Sequence, residues 1–529
     1  MEEIICAAHN RRERRDIADS WSCLIATMGR TPLLWAAENG NQEVVRILLE
    51  RSDVNIEAGD VYDRTPLCVA AMNKHAGVVT TLVQGGANLN TPDSMYGRTP
   101  LAWAAHIGGI GVVGILLELE DVDPNIADNY GQTPLHLAAG SEEAGVVGML
   151  LQREGVDPNI ADEENRTPLS LAAEYRCDSV VRILVEQSEA NPNITDGEDR
   201  TPLSWAAGNG HIGVVSLLLE QNDVDPNHLD KYGRTLVFTA ALEGHDGVLR
   251  TLLERKDVNP DTAHEGSYTP LLQASARGHE EVVKILLDRN DVNPGIASGN
   301  GDTPLSVAIQ WRHFGVARKL LERNDINANI ANTYYGRTRL LWAAWRMNAG
   351  LVGILLERNE VDHETADRSG QTPLCWAALN GDEETLGLLL ERDSVNPNTA
   401  GRKGQTPLLQ AAKRGNQGVV EILLGRDDVD PNKKSEDGQS PLSCAVRKGN
   451  QVVVGMLLKR SDLYLDTTDN FGQTLASWAG ENRDDEIAKL LSDQKGSASR
   501  SGASLQPVEP CSPKLSELSE PPSKRLCRF

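Results

Sequence analysis

Six of the nine tryptophans stand at one recurring position. Trp35, Trp103, Trp205, Trp342, Trp376 and Trp478 each lie four residues after a threonine that returns throughout the chain. A second series stands just before that threonine: Arg30, Arg64, Arg98, Arg166, Arg200 and Arg234, with Gln371, Gln405, Gln439 and Gln473 taking the place further on. Indole rings dominate protein interfaces when they fill pockets. A row of guanidinium groups can grip carboxylates through paired hydrogen bonds. Both series therefore suggest binding chemistry. Each also has a purely architectural reading. The tryptophans could seal the seam between neighbouring units, and each arginine could pair with a nearby carboxylate such as Asp63 or Asp199.

Residues for catalysis are not arranged with them. The chain contains no His-Glu-x-x-His, no Gly-x-Ser-x-Gly, no Gly-x-x-x-x-Gly-Lys-Ser/Thr and no metal-ligand spacing. His211, His245 and His279 recur just after a glycine, which marks a turn rather than a reaction centre. A non-catalytic protein without cofactor or metal is expected.

The positioning elements follow from the repeat itself. The threonine falls at 31, 65, 99, 133, 167, 201, 235, 269 and 303, then one residue late at 338, and continues at 372, 406, 440 (as serine) and 474. A fixed period of this size describes stacked copies of one supersecondary unit. In Thr31-Pro-Leu-Leu-Trp-Ala-Ala the hydroxyl is placed to cap a helix, and proline is preset for its first turn. Leucine and two alanines then form an apolar stripe. Glycine nine residues after the threonine ends this helix in eight units, as a left-handed cap would. A second helix follows, as in Val44-Val-Arg-Ile-Leu-Leu-Glu. Its end at Asn222, Asn290 or Asn324 suggests another left-handed residue. The remaining residues read as a hairpin tip, glycine standing two before the threonine except at Asp63, Asn165, Asp199 and Ser267.

A unit of hairpin, short helix, turn and longer helix resembles the ankyrin repeat, most plainly in Gly131-Gln-Thr-Pro-Leu-His-Leu-Ala-Ala. Leu236, Arg339 and Leu475 depart at the proline but keep the threonine. The Asp-Val-Asp/Asn-Pro-Asn loop is similar in style to long fungal arrays of that family. The resemblance implies an all-α repeat solenoid: helix-turn-helix units joined by β-hairpin-like loops into a curved superhelix. First helices would line a concave face and the hairpins would project as fingers. It further implies a scaffold or adaptor that holds protein partners on that face. A regulatory sensor or substrate-receptor arm of a larger complex, and an accessory of a specialised-metabolite pathway, are the alternatives.

Composition narrows the class. The chain of 529 residues carries a net charge of −24, and the acidity lies in the repeats because both flanks are neutral or slightly basic. An acidic surface repels nucleic acid and anionic membranes. The longest apolar run, Ile107 to Leu117, is too short to cross a bilayer. Eight scattered cysteines without a Cys-x-x-Cys pair favour a reducing compartment. A cytoplasmic monomer is expected, with Lys524-Arg525-Leu-Cys-Arg528 as a candidate nuclear-entry signal. Residues 1–29 read as an N-terminal helical cap or remnant, 30–492 as the array, and 493–529 as a disordered Ser/Pro-rich tail. Position 4 after the threonine points away from the apolar stripe, so the tryptophans are expected on the concave surface. Trp342 and Trp376, in adjacent units, make the foremost candidate pair.

Overall fold

The computed structural model describes residues 30–187, 189–264, 267–329, 336–466, 468–482 and 484–500. The chain divides into two compact units, Met1–Thr333 and Tyr334–Phe529. Numbered by their threonines, repeats 1–9 belong to the first unit and repeats 10–14 to the second. Within each unit a first helix packs on its own second helix, and like helices of adjacent repeats pack on each other. The result is an all-α repeat solenoid of two helical layers. Among the described residues strand structure is limited to two isolated bridges, His264–Tyr268 and Thr468–Thr474. The fingers are hairpins only in outline, closed by bonds such as Asp60 N–H to the Arg64 carbonyl (3.2 Å) and Asp63 N–H to the Asp60 carbonyl (2.9 Å).

Local chemistry explains each helix. Thr201 Oγ1 accepts the Ser204 N–H (3.2 Å), and the same cap survives where proline is lost, as in Phe238 N–H to Thr235 (3.1 Å) and Leu341 N–H to Thr338 (3.3 Å). Removing such a cap costs about 1 kcal/mol. Leu203, Ala206 and Ala207 are buried on one stripe, and Val214, Val215 and Leu218 bury the facing side of the second helix. The alanines hold the layers close, and the leucines supply most of the apolar area removed from water. The turn between helices is left-handed in every described repeat. Gly210 has φ 77°, and Lys74, Glu142, Arg176, Arg312 and Met347 adopt the same region without being glycine.

The second helices end differently from expectation. They stop at Leu219, Leu287 and Leu321, and Asn222, Asn290 and Asn324 are not left-handed. The terminal carbonyls are satisfied from the next repeat instead. Arg289 Nη1 donates to Leu253 O (2.8 Å) and Arg323 Nη1 to Leu287 O (3.0 Å). A cation at the carbonyl end of a helix also meets its negative dipole.

Other polar repeats staple neighbours in the same way. Nε2 of His211, His245 and His279 donates to a carbonyl of the preceding first helix at 2.9–3.0 Å, the turn role expected for them. Asn416 and Asn450 do this in the second unit. His136 Nε2 donates to the Arg166 carbonyl (3.0 Å), and burial pulls its pKa down, keeping the ring neutral. The last helix runs Asp485–Arg500 and so crosses the 492/493 boundary read from composition. The proposed cap in 1–29, the extra residue before Thr338 and the tail from 501 lie outside the described residues.

Candidate partner-binding surface

The arginine series is occupied. Most described fingers open on an aspartate whose Oδ1 accepts the tip amides; His264, Ser298, Gly401 and Ser435 take its place in the others. In repeat 6, Asp196 Oδ1 accepts the N–H groups of Glu198 (2.8 Å) and Arg200 (2.9 Å). Its other oxygen takes the guanidinium: Arg200 Nε to Asp196 Oδ2 is 3.0 Å. The same pair forms between Arg64 and Asp60 (2.8 Å), Arg166 and Asp162 (3.1 Å), and Arg234 and Asp230 (2.7 Å). Arg30 instead reaches Glu38 (2.7 Å). The carboxylate is thus the finger's first residue, not Asp63 or Asp199. Those two have φ of 55° and 56° and form the tips, so their side chains leave the base of the finger.

Arg98 obeys a variant rule. It bypasses its own Asp93 and donates to Asp128 of the next finger (3.1 Å). The repeat holding Asp128 carries Gln132 where an arginine would stand, which leaves that carboxylate open. Arg337 likewise reaches Asp367 (3.4 Å), whose own repeat carries Gln371. Burial pushes the Asp60 carboxyl up, but the Arg64 bond and the tip amides outweigh it, so its pKa falls below the usual value.

The tryptophans join this clamp. Trp103 Nε1 donates to Asp93 (2.8 Å), Trp205 Nε1 to Asp196 (3.1 Å) and Trp376 Nε1 to Asp367 (3.1 Å). Arg200 covers the Trp205 ring at 3.8 Å and Arg98 the Trp103 ring at 4.9 Å. Trp103 is buried, and Trp35, Trp205, Trp342, Trp376 and Trp478 are half-buried. Position 4 does face away from the apolar stripe, but it sits near the helix start, where the finger folds over it. At Trp103, Trp205 and Trp376 the expected open indole surface is therefore roofed. Trp342 differs from its proposed partner Trp376 in having Arg346 over its ring at 5.4 Å.

One helical turn further on, the surface opens. Tyr175, Trp311 and Met347 are exposed large side chains at the ends of first helices. Tyr62, Met95, Tyr130, Tyr232 and Phe471 are exposed on finger tips. These residues escape a search for repeated types, because they vary from copy to copy. The signal in the sequence is the variability itself, at side chains outside the threonine caps, the finger aspartates and the turn histidines.

In the second unit the glutamines that replace arginine turn inward. Gln371 and Gln439 are buried. Gln410 Nε2 donates to Gln371 Oε1 (2.9 Å), tying two repeats together, and the Cys444 thiol donates to Gln439 Oε1 (3.3 Å). Among the described residues no group of three or more His, Cys, Asp or Glu could hold a metal ion, and no helix is long and apolar enough to cross a membrane.

Comparison with protein families agrees with this geometry. The model described as "Ankyrin repeats (3 copies)" matches residues 4–93, 101–196, 169–264, 255–332 and 340–435, and that described as "Ankyrin repeat" matches 437–469. The chain is an ankyrin-repeat protein. Comparison with curated proteins finds no significant match. The ankyrin match begins ahead of the array boundary read at residue 30 and stops before the last repeat. Ankyrin repeats act in general as protein-interaction modules, which fits a surface whose polar consensus is consumed by staples and whose exposed positions vary.

Proposed function

We infer that this ankyrin-repeat protein is a non-catalytic scaffold that holds protein partners on its finger tips and first-helix ends. One observation carries the reading: exposed tyrosine, methionine and phenylalanine side chains concentrate at these two variable places. Large apolar side chains left in water at such positions favour a protein partner. The repeated tryptophans and arginines hold the fingers on the helices, and so shape the surface without being its contact points. No described residue singles out a receptor arm or a metabolic pathway.

Photo-cross-linking tests the assignment. A benzophenone amino acid at Tyr130 or Tyr175 should capture protein from native lysate, and one at Arg182, on the exposed side of a second helix, should capture far less. Equal yields from the three positions would overturn it.

A further inference from the structure

We propose that repeats 12 and 13 form a docking strip for an acidic, extended polypeptide segment of a partner. The proposal rests on the scaffold reading and names the partner chemistry for one part of it. Six cations define the strip. Arg402 and Lys403 stand exposed on the finger tip of repeat 12, and Lys413 and Arg414 close the first helix of the same repeat. Arg447 and Lys448 close the next first helix. No carboxylate among the described residues forms an ion pair with Arg402, Lys403, Lys413, Arg414 or Lys448. That sets them apart from the finger arginines of the first unit.

The two first helices that carry these cations, Pro407–Arg414 and Pro441–Arg447, pack side by side. Burial pushes the Cys444 thiol up to about 11, against the opposing pull of Lys413, Arg447 and Lys448 acting on it together. Arg447 also lies over the Trp478 ring at 4.8 Å, which presents a flat apolar edge beside the charges. On the finger side the strip ends at Glu436 and Asp437, the acidic tip of repeat 13.

Spacing selects the occupant. Adjacent helices lie about 10 Å apart, and a chain extended as polyproline II advances about 3.1 Å per residue with three residues per turn. Every third side chain of such a segment meets the next cationic helix end. A nucleic acid fits less well. Its phosphates are denser, at one charge per about 1.7 Å of duplex axis, and the chain as a whole carries −24, which repels a long polyanion. A short acidic peptide touches only the strip.

The test uses the full chain and a fluorescein-labelled peptide of about a dozen residues carrying Glu at every third position. Anisotropy should show saturable binding that weakens about tenfold between low and physiological salt. Charge reversal in K413E/R414E should weaken it at least about tenfold, and the milder K413Q/R414Q should weaken it in the same direction with an unchanged melting curve. Charge reversal of Lys284 on a second helix of the first unit should leave binding unchanged. Absence of saturable binding, insensitivity to both double variants, an oligonucleotide binding as tightly as the peptide, or self-association through the strip in sedimentation would each overturn the proposal. The cross-linking positions lie in the first unit, so the scaffold reading stands or falls separately.

Discussion

The two units place positive charge in opposite situations. In the first, arginines stand at the base of the fingers and are neutralised by buried aspartates, as in Arg64–Asp60 and Arg200–Asp196. The ends of its first helices carry acids in several repeats, among them Glu38, Glu174 and Glu243. In the second, glutamine replaces arginine at four fingers and turns inward at Gln371 and Gln439, and the cations move to helix ends and to one finger tip. The change begins at Arg277 and Arg312, late in the first unit. A charge count along the chain would not separate these cases. A cation matters to a partner only if the fold leaves it without a carboxylate, and here one helical turn decides that.

The largest effect should come from the clamp both units share. Asp196→Ala strands the Arg200 guanidinium, the Trp205 indole N–H and two tip amides, and should cost about 3 kcal/mol by urea unfolding. Asp367→Ala, which strands Trp376 and Arg337, should cost a similar amount. A near-neutral Asp367→Ala would confine the clamp to the first unit. Next comes the inward glutamine, which belongs to the second unit. Gln410→Ala leaves the buried Gln371 amide without its partner and should cost about 2 kcal/mol. Glutamate at the same position would bury a charge and should cost more.

Acid should soften both units together. Burial raises the Asp367 carboxyl, but the Ser369 hydroxyl, the tip amides and the Trp376 indole outweigh it, so its pKa falls below the usual 3.8, as that of Asp60 also does. A folded-state pKa below the unfolded one gives stability that is fully present above the unfolded value. It drains away as pH falls through the folded value. Circular dichroism should therefore show a urea midpoint held above about pH 5 and falling below about pH 4. A midpoint insensitive to that range would mean the finger carboxylates do not stabilise the array.

The smallest effect concerns the turn between helices. Met347 is left-handed with φ 59°, at a position where Gly278 has φ 83°. Met347→Gly should gain about 1 kcal/mol by relieving that strain. The reverse change is blocked at Gly278, because a Cβ there would lie 2.5 Å from the His313 ring. Loss of stability in Met347→Gly would mean the side chain packs more usefully than its exposure indicates.

Much of the fold was legible because the signals are local. The threonine cap, the proline after it, the leucine and alanine stripe and the glycine turn each act within a few residues, and their return every 34 residues names the architecture. The left-handed tips at Asp63, Asn165, Asp199 and Ser267 were legible for the same reason, and all four have positive φ. The ends of the second helices were misread. Asn222 and its counterparts suggest a left-handed stop, but the carbonyls are taken by an arginine about 36 residues away, as in Arg289 to Leu253. A partner at that distance leaves no trace in the local pattern.

The candidate surface shows the same division. Residue type and period alone determined that Trp and Arg recur on one side of the first helix, and that the chain is a stack of ankyrin repeats. Only the tertiary structure decided that these residues face each other across a buried aspartate, and that the open positions lie one turn later. The reason is geometric. A helical repeat tells which way a side chain points, but whether it meets water depends on the finger folded above it and on the repeat packed beside it.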